Sequence, residues 1–442
     1  MKPIFTISGL RGVWGKNLFP DLVANYAMSF GKFLQGRNIA VGRDNRESGP
    51  EILLAVIKGL FNLQYNIFDF GICPTPAIVK MVKKLKLDGG LQVTASHNPE
   101  EWNGLKFISG EGRFLYPEEF KRLADALNKK IKRFNLTTFP NFGKKEIINL
   151  YLQDIIIADY FKEIQYKKFK VGIDSCNGAA EEYAIKLVEM LGSIPVSINR
   201  PTKGFPRPPE PKAENLKRLS SAIKKEKLDF GIAFDPDGDR FACVDETGTP
   251  LSEEASVLLA IRYILEQQKG PVVVNNSTTM AVEEVCKKFK VPVYRSPTGE
   301  INVVKKMLEV NAIVGGEGNG GVIVPKINTT RDGLVATAIL ISFLSKRECP
   351  LSVIRDELPL YYMHKAVVSY YKENWQTIIR KKYQSDKRIK FDTQDGLKVI
   401  GDKFWILLRK SNTEPILRII AESNNRSLTN RLIKDIIKEI RN

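Results

Sequence analysis

The sequence predicts three related α/β domains with mixed, mainly parallel sheets, followed by a C-terminal α+β domain. A pattern of strand, polar loop, helix and strand occurs three times before residue 300, and a different pattern follows residue 359. The chain has 442 residues. That length is too great for one hydrophobic core, so several domains of ordinary size are expected.

The three repeated segments share β-rich runs on either side of an amphipathic helix. Each first run ends in a loop of small and polar residues. Because a crossover helix is the usual way to join parallel neighbours, the pattern predicts parallel sheets covered by helices. The predicted strand, helix and strand are 39–42, 51–63 and 65–70 in the first segment, 170–174, 181–191 and 196–198 in the second, and 272–275, 281–289 and 291–294 in the third.

The tail has several strands and its helices are separate from them, which is typical of an α+β domain. Strands are predicted at 367–370, 397–400, 404–408 and 416–421, with a basic helical stretch between the first two. A closing helix at 428–440 has one apolar face, formed by Leu432, Ile433, Ile436, Ile437 and Ile440.

The amino terminus and the cysteines indicate a cytoplasmic protein. The start of the chain reaches Ser8 and Arg11 without the apolar core of a secretory signal. The longest apolar stretch, 334–344, is interrupted by Thr337 and Ser342, so we expect a buried helix and no membrane span. The five cysteines are scattered without a CxxC pair and are expected to be reduced and mostly buried. With only two histidines, a metal site must use oxygen ligands.

The formal net charge of +18 raises the possibility of nucleic-acid binding. The lysines, however, are distributed along the chain in pairs such as Lys83-Lys84, Lys224-Lys225 and Lys381-Lys382. Such pairs usually serve solubility, so no nucleic-acid partner is predicted. A positive field would still attract small anionic substrates.

The strongest local signal is the run Asp235-Pro236-Asp237-Gly238-Asp239-Arg240, which follows an apolar stretch at 230–234. Three carboxylates at alternating positions after a strand can converge on one hard divalent cation, and Mg²⁺ suits them because it also leaves room for a phosphate oxygen. Proline and glycine shape the turn. The run therefore predicts a magnesium site.

A second cluster is Thr94-Ala95-Ser96-His97-Asn98-Pro99, followed by Asn103-Gly104-Leu105-Lys106. Ser96 follows an apolar run, and Lys106 is predicted to fold back through a turn at Asn103-Gly104. A serine hydroxyl needs a nearby base or cation to act as a nucleophile. On spacing alone the cluster fits a catalytic serine and a turn with a capping serine equally well.

Together these motifs resemble those of the α-D-phosphohexomutase superfamily (phosphoglucomutase, phosphomannomutase and phosphoglucosamine mutase), in the form of its archaeal members. The run 94–99 is similar to the phosphoserine loop, 235–240 to the metal loop, Gly316-Glu317-Gly318-Asn319-Gly320-Gly321 to the sugar-binding loop, and 409–415 to the phosphate-binding loop. Ser8-Gly9-Leu10-Arg11-Gly12 matches the amino-terminal motif. The resemblance covers essentially the whole chain.

The resemblance implies four domains around a central cleft, at 1–149 (phosphoserine), 150–249 (metal), 250–358 (sugar) and 359–442 (phosphate). It implies that Ser96 carries the transferable phosphoryl group and, with Asp235, Asp237 and Asp239, contacts Mg²⁺. His97, Lys106, Arg11 and Arg240 would surround that phosphate, with proton transfer assigned to one or more of the first three. Substrate would be bound by Thr298, Gly299, Glu317, Asn319, Arg409, Ser411, Asn412, Thr413 and Arg418.

The implied activity is interconversion of hexose 1-phosphate and hexose 6-phosphate, with hexose 1,6-bisphosphate as activator and intermediate. Glucose, mannose and glucosamine phosphates remain open as substrates, and so does the oligomeric state. One alternative is a magnesium-dependent phosphatase with an aspartate nucleophile in 235–238. The other is a basic protein that binds nucleic acid without turnover.

Overall fold

The computed structural model describes residues 2–127, 142–162, 164–201, 203–369, 371–410 and 416–441. The chain forms two compact units, of which the first comprises Met1–Ala260 and Gly320–Arg355 and the second Ile261–Asn319 and Asp356–Asn442. Within the ranges described, no helix combines the length and the hydropathy that crossing a bilayer requires.

The first unit begins with a mixed sheet of eight strands in the order β1-β2-β6-β5-β3-β4-β8, with β7 paired to β6. Strand β3 is parallel to β4 and β5, whereas β6 is antiparallel to β2 and β5. The elements are β1 (Ile4–Thr6), β2 (Gly9–Val13), α1 (Pro20–Phe33), β3 (Asn38–Arg43), α2 (Gly49–Phe61), β4 (Asn66–Ile72), α3 (Thr75–Lys84), β5 (Gly89–Val93), β6 (Trp102–Ser109), β7 (Arg113–Phe114), α4 (Pro117–Leu127), β8 (Phe142–Lys144) and α5 (Ile148–Ile156).

A second sheet in the same unit has the order β10-β9-β11-β12. Strand β9 is parallel to both neighbours, and β12 returns antiparallel to β11. The elements are β9 (Lys170–Asp174), α6 (Glu181–Met190), β10 (Ile194–Ser197), α7 (Lys217–Glu226), β11 (Phe230–Phe234) and β12 (Phe241–Val244). The parallel strands β9, β10 and β11 therefore end at the same edge of the sheet.

The third sheet has β13 between β14 and β15, parallel to both. Its elements are α8 (Glu253–Gln267), β13 (Val272–Asn275), α9 (Ala281–Phe289), β14 (Val293–Ser296), α10 (Glu300–Glu309) and β15 (Val314–Glu317). The chain then re-enters the first unit with β16 (Gly321–Ile323), α11 (Gly333–Arg347) and α12 (Leu351–Asp356). Helix α11 is buried from residue 333 to 345, which confirms the buried helix predicted at 334–344.

The C-terminal sheet is wholly antiparallel, in the order β17-β21-β20-β19-β18. Helix α14 buries Leu432, Ile433, Ile436 and Ile440 in the core of this sheet, as their helical spacing predicted, and the fifth predicted residue, Ile437, is half-buried and packs against the same core. The elements are β17 (Tyr362–Val368), α13 (Trp375–Tyr383), β18 (Lys390–Asp392), β19 (Leu397–Gly401), β20 (Phe404–Lys410), β21 (Leu417–Ser423) and α14 (Arg426–Arg441).

The predicted fold class, with three α/β domains of mixed, mainly parallel sheets and a C-terminal α+β domain, is confirmed, and the sheet of the last domain is antiparallel. The prediction of a turn at Asn103-Gly104 is wrong, because both residues lie in β6, where Gly104 pairs with Arg11 of β2. A Cβ on Gly104 would meet the Leu10 carbonyl oxygen at 1.8 Å, so close strand approach explains this glycine. All five cysteines are free; four are buried and Cys349 is half-buried, as predicted.

Candidate active site

Ser96 lies in the loop that follows β5 and is almost fully buried, with 1% of its surface exposed. Its backbone is in the left-handed region, with φ of 53°. That conformation costs a residue with a side chain roughly 1–2 kcal/mol and persists only where the surroundings enforce it. The Ser96 N–H donates to Thr94 Oγ1 at 2.8 Å. The strained backbone directs the hydroxyl towards the carboxylates that follow β11.

Three buried carboxylates gather in the loop after β11. Asp235, Asp237 and Asp239 each offer one oxygen, and these oxygens lie within 4.8 Å of one another. The Ser96 hydroxyl donates to Asp235 Oδ2 at 3.3 Å, which joins the serine loop to this cluster. Gly238, with φ of 70°, forms the turn between the second and third carboxylates.

Two cations and one hydroxyl contact the outer oxygens of the cluster. Lys106 Nζ, on β6, lies 2.6 Å from Asp237 Oδ2 and 2.8 Å from Asp239 Oδ2. Arg331 Nη2 lies 2.8 Å from Asp239 Oδ2. Thr75 Oγ1 donates to Asp237 Oδ2 at 2.5 Å. These contacts involve the Oδ2 atoms of Asp237 and Asp239 and leave the Oδ1 atoms of both residues available within the cluster.

The pKa values of two carboxyl groups in the cluster, Asp235 and Asp239, are shifted in opposite directions. Burial raises the pKa of Asp235 well above its ordinary value, and the neighbouring charges of Asp239 and Asp237 raise it further. Burial alone would also raise the pKa of Asp239, but Arg331 and Lys106 outweigh it and hold that pKa below its usual range. A cation among the three carboxylates would relieve the repulsion that Asp235 experiences.

The residues present fit a hard divalent cation. Among the described residues, the buried atoms Asp237 Oδ1 and Asp239 Oδ1 have no hydrogen-bond partner. A buried carboxylate oxygen without a partner is costly unless a cation neutralises it. Together with Asp235, these oxygens form an all-oxygen donor set, the type that Mg²⁺ takes. The triad could therefore bind a metal.

A chain of polar contacts reaches Ser96 from the other side. His97 Nδ1 lies 3.2 Å from Ser96 Oγ, and His97 Nε2 lies 3.2 Å from Arg240 Nη2. Arg240 also pairs with Glu210. Burial, then the charge of Arg240, lowers the pKa of His97 to about 2, so the imidazole is neutral. Burial alone would raise the pKa of Glu210, but Arg240 and Lys212 bring it to about 2.

Arg11 lies on β2, beside β6, and its Nη1 donates to Asn98 Oδ1 at 2.8 Å. Burial lowers the pKa of this guanidinium, while the charges of Asp237 and Asp239 act to raise it. The structure therefore brings together all the catalytic and metal residues that the sequence predicted: Ser96, His97, Lys106, Arg11, Arg240, Asp235, Asp237 and Asp239.

In the second unit, Glu317 ends β15 and is buried. Its Oε1 accepts from the Gly299 N–H at 3.1 Å and from Asn275 Nδ2 at 2.8 Å, so the predicted segments 298–299 and 316–319 are neighbours. Thr298 Oγ1 and Asn319 Oδ1 are buried and have no hydrogen-bond partner in the part of the chain described. These oxygens suit hydroxyls of a ligand.

Arg409 of β20 and Arg418 of β21 are directly paired across the C-terminal sheet. Like charges in this position are destabilising unless an anion or a carboxylate lies between them. Asp395 Oδ1 lies 2.7 Å from Arg409 Nε, and its other oxygen accepts from the Thr298 N–H at 2.9 Å. The predicted substrate residues Ser411, Asn412 and Thr413 lie outside the described residues.

Thr75, Glu210 and Arg331 contact the site but were not predicted from the sequence. Thr75 and Arg331 are 162 and 92 residues from their aspartate partners, so no local spacing could reveal them. Glu210 follows two prolines in a loop without periodicity. Only the half-buried position of its carboxylate, paired with Arg240, identifies it.

Family models match in chain order across most of the sequence. They describe phosphoglucomutase/phosphomannomutase α/β/α domains I, II and III, at residues 2–134, 149–248 and 252–362, and the C-terminal domain, at residues 373–439. The chain belongs to the phosphoglucomutase/phosphomannomutase family. It is therefore a phosphotransferase mutase that acts on hexose phosphates, and the phosphatase alternative is not supported.

Relatives of this family match over nearly the whole chain. A phosphoglucomutase/phosphomannomutase of Thermococcus kodakarensis is 34% identical, over 96% of this chain and 95% of its own. A phosphoglucosamine/phosphogalactosamine mutase of Sulfurisphaera tokodaii is 32% identical, over 99% of each. A solved phosphoglucomutase/phosphomannomutase family protein from Burkholderia thailandensis has a TM-score of 0.85, with 24% identity over 99% of this chain and 97% of its own, and shares the fold.

Proposed function

We propose that this mutase interconverts hexose 1-phosphate and hexose 6-phosphate through a phosphoryl group carried on Ser96. The supporting observation is the position of Ser96 Oγ, 3.3 Å from Asp235 Oδ2 and 3.2 Å from His97 Nδ1, in a cluster that also contains Lys106 and Arg331. Phosphoryl transfer requires mainly in-line positioning and neutralised charge, and the cations of this cluster would supply the neutralisation.

The reaction consists of two transfers in opposite directions. A hydroxyl oxygen of the hexose monophosphate forms a bond to the phosphorus of phospho-Ser96, and the bond from phosphorus to Ser96 Oγ breaks with its electron pair remaining on Oγ. The hexose 1,6-bisphosphate then rotates so that its other phosphate faces Ser96. Its other phosphoryl group returns to Ser96 and releases the isomeric monophosphate, so added bisphosphate acts as activator by phosphorylating Ser96.

Asp235, Asp237 and Asp239 would hold Mg²⁺ next to Ser96. When bound, the ion supplies charge neutralisation for the phosphoryl oxygens. Lys106, Arg11 and Arg240 place further positive charge at the same loop, and Arg331 adds a fourth cation. Proton transfer from the attacking hydroxyl and to Ser96 Oγ would involve one or more of Lys106, Arg11 and His97, with His97 as the donor that faces Ser96 Oγ.

Glu317, Asn319, Thr298 and Gly299 would bind the sugar. Arg409 and Arg418, with Ser411, Asn412 and Thr413, would bind the phosphate that is not transferring, because paired arginines suit a dianion. The relatives named above cover glucose, mannose, glucosamine and galactosamine phosphates, so the preferred hexose stays open. The domain boundaries at 149, 249 and 358, the cytoplasmic location and the lack of a nucleic-acid partner stay predictions.

Steady-state turnover tests this function. Glucose, mannose and glucosamine 1-phosphates are compared as substrates of the wild type and of Ser96→Ala. Each assay contains Mg²⁺ and a trace of the hexose 1,6-bisphosphate. We expect conversion to the 6-phosphate of at least one hexose, lost in Ser96→Ala. Equal turnover in the variant would contradict the role of Ser96, and free phosphate as the main product would indicate hydrolysis.

A further inference from the structure

In each of the three α/β sheets, a similar hydrogen bond forms at the end of a central strand. Asp44 follows β3, Asp174 ends β9 and Asn275 ends β13. In each case Oδ1 accepts from the backbone N–H two residues later, at 3.2, 3.0 and 3.0 Å respectively. Each of these strands is the parallel neighbour of the strand that leads into a site loop: β5 before Ser96, β11 before Asp235 and β15 ending at Glu317.

In the first sheet, the Asp44 carboxylate orients Arg46, whose side chain is fully buried. Asp44 Oδ2 accepts from Arg46 Nε at 3.0 Å and from Thr94 Oγ1 at 2.6 Å. Arg46 then donates to the carbonyl oxygens of the serine loop, at 2.6 Å to Ser96 and 2.8 Å to Asn98 from Nη2, and at 2.6 Å to Pro99 and 2.8 Å to Trp102 from Nη1.

These contacts hold Ser96 from both sides. Its N–H donates to Thr94 Oγ1, its carbonyl oxygen accepts from Arg46, and both partners are joined to Asp44. A left-handed backbone at a non-glycine residue persists only when the surrounding structure enforces it. The Asp44–Arg46 pair is positioned to enforce it at the residue that carries the nucleophile.

The second sheet repeats this arrangement with an arginine from a distant loop. Arg207 Nε donates to Asp174 Oδ1 at 3.0 Å, and Arg207 Nη2 donates to the Phe234 carbonyl oxygen at 2.7 Å. Phe234 is the last residue of β11 and directly precedes Asp235. The pair therefore holds the backbone from which the three carboxylates project.

In the third sheet, Asn275 contacts the site residue directly. Its Nδ2 donates to Glu317 Oε1 at 2.8 Å, while its Oδ1 accepts from Thr278 Oγ1 at 2.9 Å. Thr278 Oγ1 in turn accepts from the Gly318 N–H at 3.0 Å. The amide therefore fixes both the carboxylate and the backbone of the predicted sugar-binding loop.

We propose that the residue at the end of the central strand positions the active-site loop of its own domain: Asp44 through Arg46 for Ser96, Asp174 through Arg207 for the metal loop, and Asn275 for Glu317. The proposal rests on the function proposed above. Because Ser96 acts in the chemical step whereas Glu317 binds the sugar, loss of the first contact lowers kcat and loss of the third raises KM.

Arg46→Lys tests the first position. Lysine keeps the charge beside Asp44 but cannot reach the same set of carbonyls with three donors on one nitrogen. The matched control is Arg113→Lys, because Arg113 is also buried, lies in the same sheet and pairs with Glu119 away from Ser96. We expect kcat to fall about 100-fold with KM within about threefold in Arg46→Lys, and less than about threefold change in Arg113→Lys.

Melting temperatures of both variants separate stability from positioning. An Arg46→Lys enzyme whose kcat falls no further than that of Arg113→Lys would overturn the proposal. If Arg46→Lys does not fold, Thr94→Val replaces it, since this change removes only the hydroxyl that joins the Ser96 N–H to Asp44. Its kcat should fall at least about tenfold. A kcat equal to that of the wild type would overturn the proposal.

Asn275→Asp tests the third position. Aspartate keeps the acceptor for Ser277 and Thr278 but replaces the donor to Glu317 with a second carboxylate. We expect KM for the hexose phosphate to rise at least about tenfold, with a smaller change in kcat. An unchanged KM would overturn this part. Ser96→Ala in the same assay separates the two proposals: if it remains active, the proposed function fails, whereas an inactive Ser96→Ala beside a fully active Arg46→Lys refutes only the positioning role.

Discussion

Arg240 Nη2 and His97 Nε2 lie 3.2 Å apart, and this contact determines which imidazole nitrogen carries the proton. A guanidinium has donors but no acceptor, so His97 Nε2 must accept. A neutral imidazole then carries its proton on Nδ1, which lies 3.2 Å from Ser96 Oγ. His97 therefore donates to the serine oxygen and is not the base that accepts a proton from it.

A pair of variants at His97 tests this assignment. The Nδ2 of asparagine can occupy the position of imidazole Nδ1 and donate to Ser96 Oγ, whereas leucine cannot, and both variants lose the contact with Arg240. We expect kcat of His97→Asn to exceed that of His97→Leu by about tenfold, the value of one hydrogen bond to an oxygen that gains charge. Equal losses in the two variants would contradict donation from His97 to Ser96 Oγ.

Asp237→Asn should weaken metal binding without unfolding the protein. It removes one of three ligand charges, and the amide can still accept from Lys106 or Thr75. We expect the Mg²⁺ concentration that gives half-maximal activity to rise at least about tenfold, with the same shift in Mg²⁺ affinity measured by calorimetry. The matched control is Asp245→Asn, a buried aspartate after β12 that accepts from Thr247 and Thr249. Equal Mg²⁺ affinity in Asp237→Asn and the control would refute the metal site.

Arg409→Ala should reduce catalytic efficiency while leaving phosphorylation of Ser96 possible at high bisphosphate concentration. Loss of a charge-assisted hydrogen bond to phosphate costs on the order of 1.5–3 kcal/mol, or roughly ten- to a hundredfold in kcat/KM. The control is Arg388→Ala in the same sheet domain, where the arginine side chain is 80% exposed and pairs with Asp386. Equal kcat/KM in the two variants would remove Arg409 from the substrate site.

Lys398 makes the stability of the second unit depend on pH. It is buried, donates to the Asn276 carbonyl oxygen at 2.6 Å and lies 4.4 Å from the centre of the Trp405 ring. Burial, then the charge of Arg295, lowers its pKa well below 10.5. Between that lowered pKa and 10.5 the unfolded chain binds one more proton than the folded chain, so the free energy of unfolding rises with pH.

Relative to Lys398→Met, the wild type should therefore gain stability as pH rises towards 10.5, by up to about 1.4 kcal/mol per pH unit. Urea unfolding followed by tryptophan fluorescence at several pH values measures the difference, with Trp405 as the adjacent probe. A wild type that gains nothing relative to Lys398→Met over this range would show that the lysine titrates normally.

Local patterns were sufficient to predict most elements near the site. The predicted bounds match the structure for strands Lys170–Asp174, Phe230–Phe234 and Val272–Asn275 and for helix Ala281–Phe289. Each strand is a short run rich in apolar residues, and the helix has its apolar residues at helical spacing. Strand Tyr362–Val368 was predicted to start later, since His364 and Lys365 interrupt its apolar pattern. Its regular register with β21 overrides that pattern.

The positioning contacts of the site were not predictable. Arg46 and Asp44 lie in a polar loop whose local composition predicts only a connection, and the carbonyl oxygens to which Arg46 donates lie at least 50 residues away. Arg331 directly precedes Asp332, the N-cap residue of α11, and no local sequence pattern there indicates a contact with Asp239. Their roles depend on which strand ends lie next to one another, and the order of the strands is a property of the whole sheet.

Transfer of label from hexose 1,6-bisphosphate shows directly which residue carries the phosphoryl group. Dephosphorylated protein is incubated with Mg²⁺ and bisphosphate labelled in both phosphates, digested and mapped by mass spectrometry. We expect up to one equivalent of label on Ser96, which leaves again as hexose 1,6-bisphosphate when unlabelled hexose phosphate is added. Label on Asp235 or another residue, or turnover with Ser96 never labelled, would contradict this role of Ser96.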